Sequence, residues 1–377
     1  MSDFEIKDTE ERPFETVLVM QGGGSLGAYE CGVYKTLSKH GIKFDIVSGT
    51  SIGAINAGII VGSKSSNGKE PAENLEDFWL DVAEKETPPI KQDKQRAIIA
   101  STYAGFYGNR KVFQPSWDIS NPYYYCYNPF LSNRPYIFNL DPLKKTLQRY
   151  IDFDKLNDYS RSPRLIVSCT DIKASVPVVF DSMRTRITTE QLVAGASFPF
   201  YGIEWAEVDG KYLWDGALLS NTPLREVIDA SPKYDKKVYI VSLFPHYQEE
   251  LPRTMLDTWH RARDIMHTDR TDNNVRMSKI ISRYLALMKE MHDIINNVNL
   301  DEKMKDKFMK LRGEYCKLAE ERGTIIQEMI RIERTEDVHF IFEDADFSII
   351  TIKKLIHQGE RDAENALATA TKKLKKD

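Results

Sequence analysis

A serine between two glycines stands where a predicted strand turns into a predicted helix. Residues 49–53 are G-T-S-I-G, so Ser51 has the G-x-S-x-G spacing of a nucleophile elbow. Residues 44–47 predict a short buried strand, and residues 52–60 predict a helix rich in small side chains. Because Gly49 and Gly53 remove side chains where strand and helix approach each other, we expect Ser51 at a strained apex with its hydroxyl facing outward.

A second glycine-rich segment follows the first predicted strand and precedes a helix pattern. Residues 21–27 are Q-G-G-G-S-L-G, which also satisfies G-x-G-x-x-G, the dinucleotide-binding fingerprint. That fingerprint requires an acidic residue at the end of the next strand, whereas Asp45 stands at its start. We therefore interpret Gly22, Gly23 and Gly24 as free backbone N–H groups at a helix N-terminus, suited to hold a developing negative charge.

A carboxylate closes a strand further along the chain. The Asp209–Gly210 pair predicts a hairpin turn whose second strand ends at Asp215, followed by Gly216 and Ala217. An acid in this position faces the strand edge where α/β active sites lie. The chain thus offers Ser51 as nucleophile, Asp215 as base, and the glycine loop with the amide after Ser51 as oxyanion donors.

Strands alternate with helices up to about residue 244, which predicts an α/β fold with a mainly parallel sheet covered on both faces. The three blocks, in their order along the chain, resemble those of the patatin-like phospholipase family. They are G-G-G-S-L-G at Gly22–Gly27, G-T-S-I-G at Gly49–Gly53 and D-G-A at Asp215–Ala217. The resemblance implies a three-layer sandwich, with Gly27, Gly49, Gly53, Gly216 and Ala217 supporting the motifs.

The resemblance also implies a Ser51–Asp215 dyad that needs no histidine, an oxyanion hole from the glycine loop, and no metal or organic cofactor. Its implied substrates are glycerophospholipids and neutral acyl lipids. One position departs from the pattern: many family members carry Arg or Lys where this chain has Leu26. Leu26 therefore weakens the expectation of a phospholipase more than that of an ester hydrolase in general.

Three alternatives stay open from the sequence. The enzyme could hydrolyse other oxo-esters or polyesters of hydroxy acids, or the chain could be a scaffold that keeps a hydrolase fold. A serine–acid–histidine triad is the third alternative, because His246 follows a predicted strand and the order matches that of α/β-hydrolases.

Composition narrows the class of protein. The net charge of -4 over 377 residues gives no electrostatic footprint for nucleic acid. Four scattered cysteines without a C-x-x-C pair indicate a reduced compartment and no zinc site. The longest apolar run is too short and too glycine-broken to span a bilayer, and the N-terminus lacks a signal-peptide pattern. We expect a cytoplasmic protein with possible peripheral membrane contact.

Four regions are predicted along the chain. A polar leader covers residues 1–15, and a catalytic domain covers residues 16–250 with an aromatic-rich insert at about 87–139. The insert's aromatic side chains either line an apolar channel or membrane-touching lid, or form a small core of their own. Residues 251–377 predict a mainly helical extension, with a late strand at 338–342.

Two apolar stripes in the extension step by three and four residues, from Ile281 to Ile295 and from Met304 to Leu318. They predict a helical hairpin packed on itself or on a second subunit, which makes a homo-oligomer a further expectation.

Overall fold

The computed structural model describes residues 14–64, 69–85, 93–116, 135–230, 232, 234–296, 302–322, 324, 326–335 and 342–374. The strands are β1 (Glu15–Met20), β2 (Ile46–Thr50), β3 (Gln114–Pro115), β4 (Phe138–Asn139), β5 (Arg164–Asp171), β6 (Val176–Asp181), β7 (Ala206–Val208), β8 (Lys211–Asp215), β9 (Lys236–Ser242) and β10 (Ile326–Glu333). The helices are α1 (Gly27–Lys39), α2 (Ile52–Val61), α3 (Pro71–Val82), α4 (Asp93–Tyr107), α5 (Asp141–Tyr150), α6 (Phe153–Leu156), α7 (Thr189–Ala194), α8 (Leu224–Asp229), α9 (Met255–Asn296), α10 (Glu302–Arg322) and α11 (Ile349–Leu374).

One large mixed sheet forms the centre of the molecule, in the order β10-β9-β1-β2-β5-β8-β7, with β6 paired to β5. The first five strands of this order are parallel, and β6, β7 and β8 are antiparallel to their neighbours. The expected α/β fold with a mainly parallel sheet is confirmed. Parallel pairing of Met20 with Gly49 places the carboxyl ends of β1 and β2 side by side, so the glycine loop and the elbow start at the same sheet edge.

Apolar side chains alternate between the two faces of the sheet, as expected for strands buried on both sides. Leu18 and Val47 belong to a core shared with helices α1, α2 and α11. Val17 and Ile46 belong to a smaller core that includes Leu224 of α8. These two cores, one on each face, make the three-layer arrangement.

The chain after residue 251 contributes to the central sheet itself. Strand β10 pairs in parallel with β9 at the sheet edge, a strand that the sequence analysis did not predict. Its apolar residues alternate only from Ile330 onward, and a register shift between Ile326 and Glu328 interrupts the pairing. The predicted strand at 338–342 lies outside the described residues, except for Phe342, which is in a turn.

Helix α11 crosses α1 at close range. A Cβ on Gly32 of α1 would lie 1.9 Å from the Ile356 carbonyl oxygen, and one on Gly359 of α11 would lie 2.1 Å from the Tyr29 carbonyl oxygen. The two backbones therefore touch, because both helices carry glycine at the crossing. Helix α11 is thus part of the layer that covers the central sheet.

Helices α9 and α10 contact each other through aromatic side chains. His292 of α9 stacks on Phe308 and Tyr315 of α10, with ring centroids 5.8 and 5.3 Å apart. The connection at 297–301 lies outside the described residues. His292, one member of the α9 stripe from Ile281 to Ile295, is therefore covered within the chain.

Candidate active site

Ser51 lies at a sharp turn between β2 and α2 and has φ 55° and ψ −127°. A positive φ is unusual for a non-glycine residue and costs on the order of 1–3 kcal/mol, so the surrounding structure must hold it in place. A Cβ on Gly49 would lie 2.2 Å from the Gly53 carbonyl carbon, and one on Gly53 would lie 2.6 Å from the Met20 carbonyl oxygen. The strand and the helix can meet at this angle only because both positions lack a side chain.

The glycine loop lies directly against the serine. A Cβ on Gly22 would lie 2.8 Å from Ser51 Cβ and 2.6 Å from Asn221 Oδ1. The Gly22 amide donates a 3.3 Å hydrogen bond to the Asn221 carbonyl oxygen. Among the described residues, the amides of Gly23 and Gly24 have no hydrogen-bond acceptor, so these two N–H groups are the better oxyanion candidates.

Asp215 ends β8 and is fully buried. Its Oδ1 accepts a 2.8 Å hydrogen bond from the Ala217 amide, whereas Oδ2 has no hydrogen-bond partner in the described part of the chain. Burial raises the pKa of Asp215 to about 7, and the Ser51 hydroxyl and the Ala217 amide offset part of that rise. The hydroxyl is thus near enough to stabilise the carboxylate, although no hydrogen bond of ordinary length joins it to Oδ2.

Two further small residues keep the nucleophile and the acid in place. A Cβ on Gly27 would lie 2.6 Å from Ile52 Cγ1 of the elbow helix, and one on Gly216 would lie 2.4 Å from the Ser168 carbonyl oxygen of β5. Larger side chains at either position would displace the elements that carry Ser51 and Asp215.

Ser51, Asp215 and the three loop glycines line one cavity of about 580 Å³. Most of its other lining residues are apolar, and they come from the predicted catalytic domain, from its aromatic-rich insert and from the chain after residue 251. The aromatic members are Phe106, Phe113, Phe138, Phe198, Phe200, Tyr201, Phe244, Phe342 and Phe347. A cavity of this size and polarity suits a small apolar ligand or part of an acyl chain.

The aromatic insert serves more than one of the predicted roles. Phe113 and Phe138 line the cavity and pack edge to face at 5.3 Å, whereas Phe106 lines it with a mostly exposed ring. Residues 117–134, which carry Tyr123, Tyr124, Tyr125 and Tyr127 of the insert, lie outside the described residues. The described part of the insert therefore forms both a wall of the cavity and its rim.

A buried ion network forms another wall. The Arg263 guanidinium of α9 donates to Asp264 and Glu343 at 2.9 Å each, and its Nη1 lies 3.4 Å from Asp344 Oδ1. It also lies 5.1 Å from the Phe244 ring centroid. Burial alone would lower the pKa of Arg263, but Asp344 and Glu343 hold it well above its ordinary value.

The same network supports the glycine loop. Gly24 has φ +55°, and a Cβ there would lie 2.3 Å from the Asp344 carbonyl oxygen. The Ser25 hydroxyl donates to the Glu343 carbonyl oxygen at 3.2 Å, and the Tyr201 hydroxyl donates to Asp344 Oδ2 at 2.5 Å. Residues that lie more than 300 positions after the loop thus hold its conformation.

Possible ligand atoms of His260, Asp264 and Glu343 lie within 4.8 Å of one another, a spacing that a metal ion could bridge. The Arg263 guanidinium already contacts both carboxylates, and Arg334 Nη2 lies 3.1 Å from Glu343 Oε1. Two guanidinium groups at these carboxylates would repel a cation. We interpret the cluster as an ion network.

The histidine proposed for a triad is not in the cavity. His246 is exposed, while His267 of α9 lines the cavity and stacks on Phe244 with centroids 4.8 Å apart. No histidine in the described part of the chain hydrogen-bonds Ser51 or Asp215. The geometry therefore gives the triad no support.

Leu26 is buried in the core and does not line the cavity. The basic side chains that do line it are Arg263 and His267, and Arg263 is engaged by carboxylates. Among the described residues, the cavity thus has no unpaired arginine that could replace the Arg or Lys that many family members carry at the position of Leu26.

Sequence reasoning missed the cavity residues that meet only in the folded chain. Asn221, Arg263 and Asp344 have no local pattern that marks them as site residues. Asn221 alone had a nearby signal, since it follows Asp215 by six positions in a segment without regular structure.

Comparison with known proteins shows the family to which the chain belongs. A sequence model of the patatin-like phospholipase family matches residues 18–228, more than half of the chain. The chain is 23% identical over 343 residues to the cGAMP-activated phospholipase of Escherichia coli (strain TW11681), covering 80% of this chain and 83% of that protein. It is 39% identical over 67 residues to the lysophospholipase NTE1 of Meyerozyma guilliermondii, covering 16% of this chain and 5% of that protein.

Solved structures similar to this one include VipD from Legionella pneumophila, with 12% identity and a TM-score of 0.36, covering 95% of this chain and 67% of that one. ExoU from Pseudomonas aeruginosa has 10% identity and a TM-score of 0.33, covering 95% and 53%. The extensive match to the family model, together with the three motifs in order, shows that the chain belongs to the patatin-like phospholipase family.

Proposed function

We propose that the protein is a serine acyl hydrolase of lipid esters, with phospholipids as the leading substrate class. The observation that carries this proposal is that Ser51, at a strained elbow, and the buried Asp215 share one apolar cavity of about 580 Å³. Family membership supports lipid ester hydrolysis in general, and the roles of individual residues are our assignment.

In the proposed reaction, Asp215 Oδ2 takes the proton of the Ser51 hydroxyl as Oγ attacks the ester carbonyl carbon. The carbonyl oxygen becomes an oxyanion and accepts hydrogen bonds from the Gly23 and Gly24 amides and from the amide after Ser51. Asp215 then gives the proton to the departing alkoxide, which leaves an acyl group on Ser51. Asp215 then deprotonates a water molecule, whose oxygen attacks the acyl carbonyl carbon. The bond between this carbon and Ser51 Oγ breaks, Asp215 returns the proton to Oγ, and the carboxylic acid leaves.

The raised pKa of Asp215 suits this role. A carboxylate with an ordinary pKa is a weak base toward a serine hydroxyl, whereas one with a pKa of about 7 is still mostly charged at slightly alkaline pH and accepts a proton more readily.

The test is hydrolysis of phospholipid vesicles and p-nitrophenyl esters by wild type, Ser51→Ala and Asp215→Asn, with labelling by a fluorophosphonate probe. We expect both variants to lose hydrolysis, and Ser51→Ala to lose labelling. Ser175→Ala is the matched control, because Ser175 also has a positive φ of 56° but is exposed on another turn. Full activity of Ser51→Ala would refute the proposal.

The same assays address the two other functional hypotheses. Preference for short oxo-esters or hydroxy-acid polyesters over phospholipid would replace the phospholipase assignment with the second hydrolase hypothesis. A wild-type protein that neither hydrolyses esters nor reacts with the probe would favour the scaffold hypothesis.

Regulation by a cyclic dinucleotide is a second element of the proposal. The match to the cGAMP-activated phospholipase covers 80% of this chain, so it includes part of the region after residue 251, which the family model does not reach. We expect added cGAMP to increase phospholipid hydrolysis. The assays above are therefore run with and without it, and an unchanged rate in an otherwise active enzyme would contradict this element.

Peripheral membrane contact is supported by the rim of the cavity. Three of its lining phenylalanines, Phe106, Phe200 and Phe342, are between 44% and 74% exposed. Ile99 and Tyr103 of α4 are exposed on the same face of the helix as Phe106 and do not line the cavity. We expect Ile99→Ser/Tyr103→Ser to weaken vesicle binding while p-nitrophenyl butyrate hydrolysis is retained; unchanged flotation with vesicles would contradict this docking surface.

Among the described residues, no helix is both long and apolar enough to cross a membrane. A cytoplasmic location stays a proposal. A homo-oligomer through the C-terminal helices also stays a proposal, and His292 of α9 is already covered by Phe308 and Tyr315 of α10.

A further inference from the structure

Helix α9 carries a second apolar stripe, which runs beside the stripe from Ile281 to Ile295 and is exposed. Its six large side chains are between 37% and 65% exposed, and they follow one another at intervals of three and four residues. They are Met277, Ile280, Tyr284, Leu287, Met291 and Ile294. We call these six residues the outer stripe.

The spacing of the outer stripe is that of a coiled-coil seam. Intervals of three and four average 3.5 residues, which keeps a seam facing a partner helix along a left-handed supercoil. The stripe spans 18 residues, or about 27 Å of helix at 1.5 Å per residue. A free coiled coil of this length would be marginal, but α9 is already folded as part of the chain, so association incurs no cost of forming the helix.

A second copy of α9 in antiparallel orientation matches the outer stripe in every layer. With a two-fold axis between Tyr284 and Leu287, those two residues face each other across the axis. Ile280 then faces Met291 of the second copy, and Met277 faces Ile294 of the second copy. Each layer thus pairs two large apolar side chains, and none is left opposite a charge.

The charges beside the outer stripe favour the same orientation. Arg283 and Glu290 are exposed and directly precede Tyr284 and Met291, so both lie along the same flank of the seam. In the antiparallel pair, Arg283 of each copy lies opposite Glu290 of the other, which gives two opposite-charge pairs. A parallel pair would instead place these charges opposite Met288 and Ile295, which are apolar.

We propose that two copies of this chain associate through the outer stripe as an antiparallel helix pair. This pairing is self-complementary, as a two-fold interface must be. The proposal concerns assembly and does not depend on the catalytic role of Ser51, because molecular mass and ester hydrolysis are measured separately.

The first test is the mass of the full chain by sedimentation equilibrium from about 1 to 100 μM. We expect a dimer for wild type and a monomer for Leu287→Glu. Lys289→Glu is the matched control, since Lys289 is exposed on the same helix but lies outside the stripe, and it should dimerise like wild type. Because Leu287 is 54% exposed, Leu287→Glu should keep the thermal unfolding midpoint of the wild-type protomer.

The second test determines the orientation by charge reversal. Arg283→Glu and Glu290→Arg should each raise the dimer dissociation constant by roughly tenfold, because each places like charges opposite one another. The double variant restores opposite charges and should return within about threefold of wild type.

Two results would overturn the proposal. One is a wild-type protein that stays monomeric throughout the concentration range. If Leu287→Glu then also abolishes the binding of the chain to vesicles, the outer stripe is a lipid-binding surface. The other is a dimer whose double charge-reversal variant is weaker than either single variant, since Arg283 and Glu290 would then not face each other.

Discussion

Asp215 combines complete burial with a free carboxylate oxygen, and these two properties determine how it behaves. Burial favours the protonated acid, while the Ser51 hydroxyl and the Ala217 amide favour the charged form; burial is the larger effect, and the pKa rises to about 7. A base role requires the charged form. Activity and stability should therefore respond to pH in opposite directions.

Hydrolysis should depend on the fraction of Asp215 that is charged. We expect kcat/KM for a soluble ester to rise about tenfold per pH unit below pH 7 and to level off above it. Asp215→Asn should lose most of the activity at every pH, because the amide cannot take the serine proton. A wild-type profile that is flat between pH 5 and 8 would contradict the assignment of Asp215 as base.

Protein stability should change in the opposite direction. The folded pKa of about 7 lies above the ordinary value of 3.8, so the folded state keeps a proton that the unfolded chain releases between about pH 4 and 7. This contribution to stability is present below pH 4 and lost as pH rises through 7. Asp215→Asn avoids the buried charge and should exceed wild type in urea stability by a few kcal/mol at pH 8, with little difference near pH 4.

The glycine loop shows how one element depends on another that is far away in the sequence. Gly24 has a positive φ and lies close against the Asp344 carbonyl oxygen, and the Ser25 hydroxyl donates to the Glu343 carbonyl oxygen. The loop is therefore preorganised by the C-terminal region. Preorganised donors contribute to catalysis because they need not rearrange as the oxyanion forms.

Comparing Gly24→Ala with Gly41→Ala separates two costs in stability: that of a positive φ at alanine, and that of a Cβ pressed against the Asp344 carbonyl oxygen. Both glycines have positive φ, but a Cβ on Gly41 would meet no atom within 4 Å. We expect Gly41→Ala to cost about 1–2 kcal/mol of stability and to leave hydrolysis unchanged. Gly24→Ala should cost more stability, measured by urea unfolding, and should reduce kcat for a soluble ester at least about tenfold. Equal effects of the two variants would contradict the support of the glycine loop by Glu343 and Asp344.

At the scale of the molecule, one helix connects the cavity with the proposed dimer surface. The first half of α9 carries Arg263 and His267 into the cavity wall, and its second half carries the outer stripe. Arg263 also joins Asp264 on the same helix to Glu343 and Asp344, which follow strand β10. The C-terminal region thus forms part of the wall of the cavity that holds Ser51 and Asp215.

Arg263→Met should destabilise the whole protein, because it leaves buried carboxylates without their guanidinium partner. The expected loss is about 3–5 kcal/mol in the free energy of unfolding. Arg225→Met is the matched control, since it removes an exposed arginine that pairs with Asp229, and it should change stability by less than about 1 kcal/mol. Urea denaturation measures both, and similar small losses would show that the network does not stabilise the fold.

The sequence by itself determined the parts of the site that depend on local backbone chemistry. The elbow, the glycine loop and the hairpin that ends at Asp215 each need particular small residues at fixed spacing, so their patterns are visible in the chain. The alternation of strands and helices likewise predicted the α/β fold. The dyad and the oxyanion donors remain our proposal, although their residues were identified from these patterns.

Only the tertiary structure decided what surrounds these residues. Strand β10 was not predicted, because regular alternation is confined to Ile330–Glu333 and its stability comes from pairing with β9. Arg263 and Asp344 are separated by 81 positions from each other and by far more from the glycine loop, and each resembles an ordinary surface charge in the sequence. They become buried together because the chain returns to the sheet edge, and long-range packing of this kind leaves no local signal.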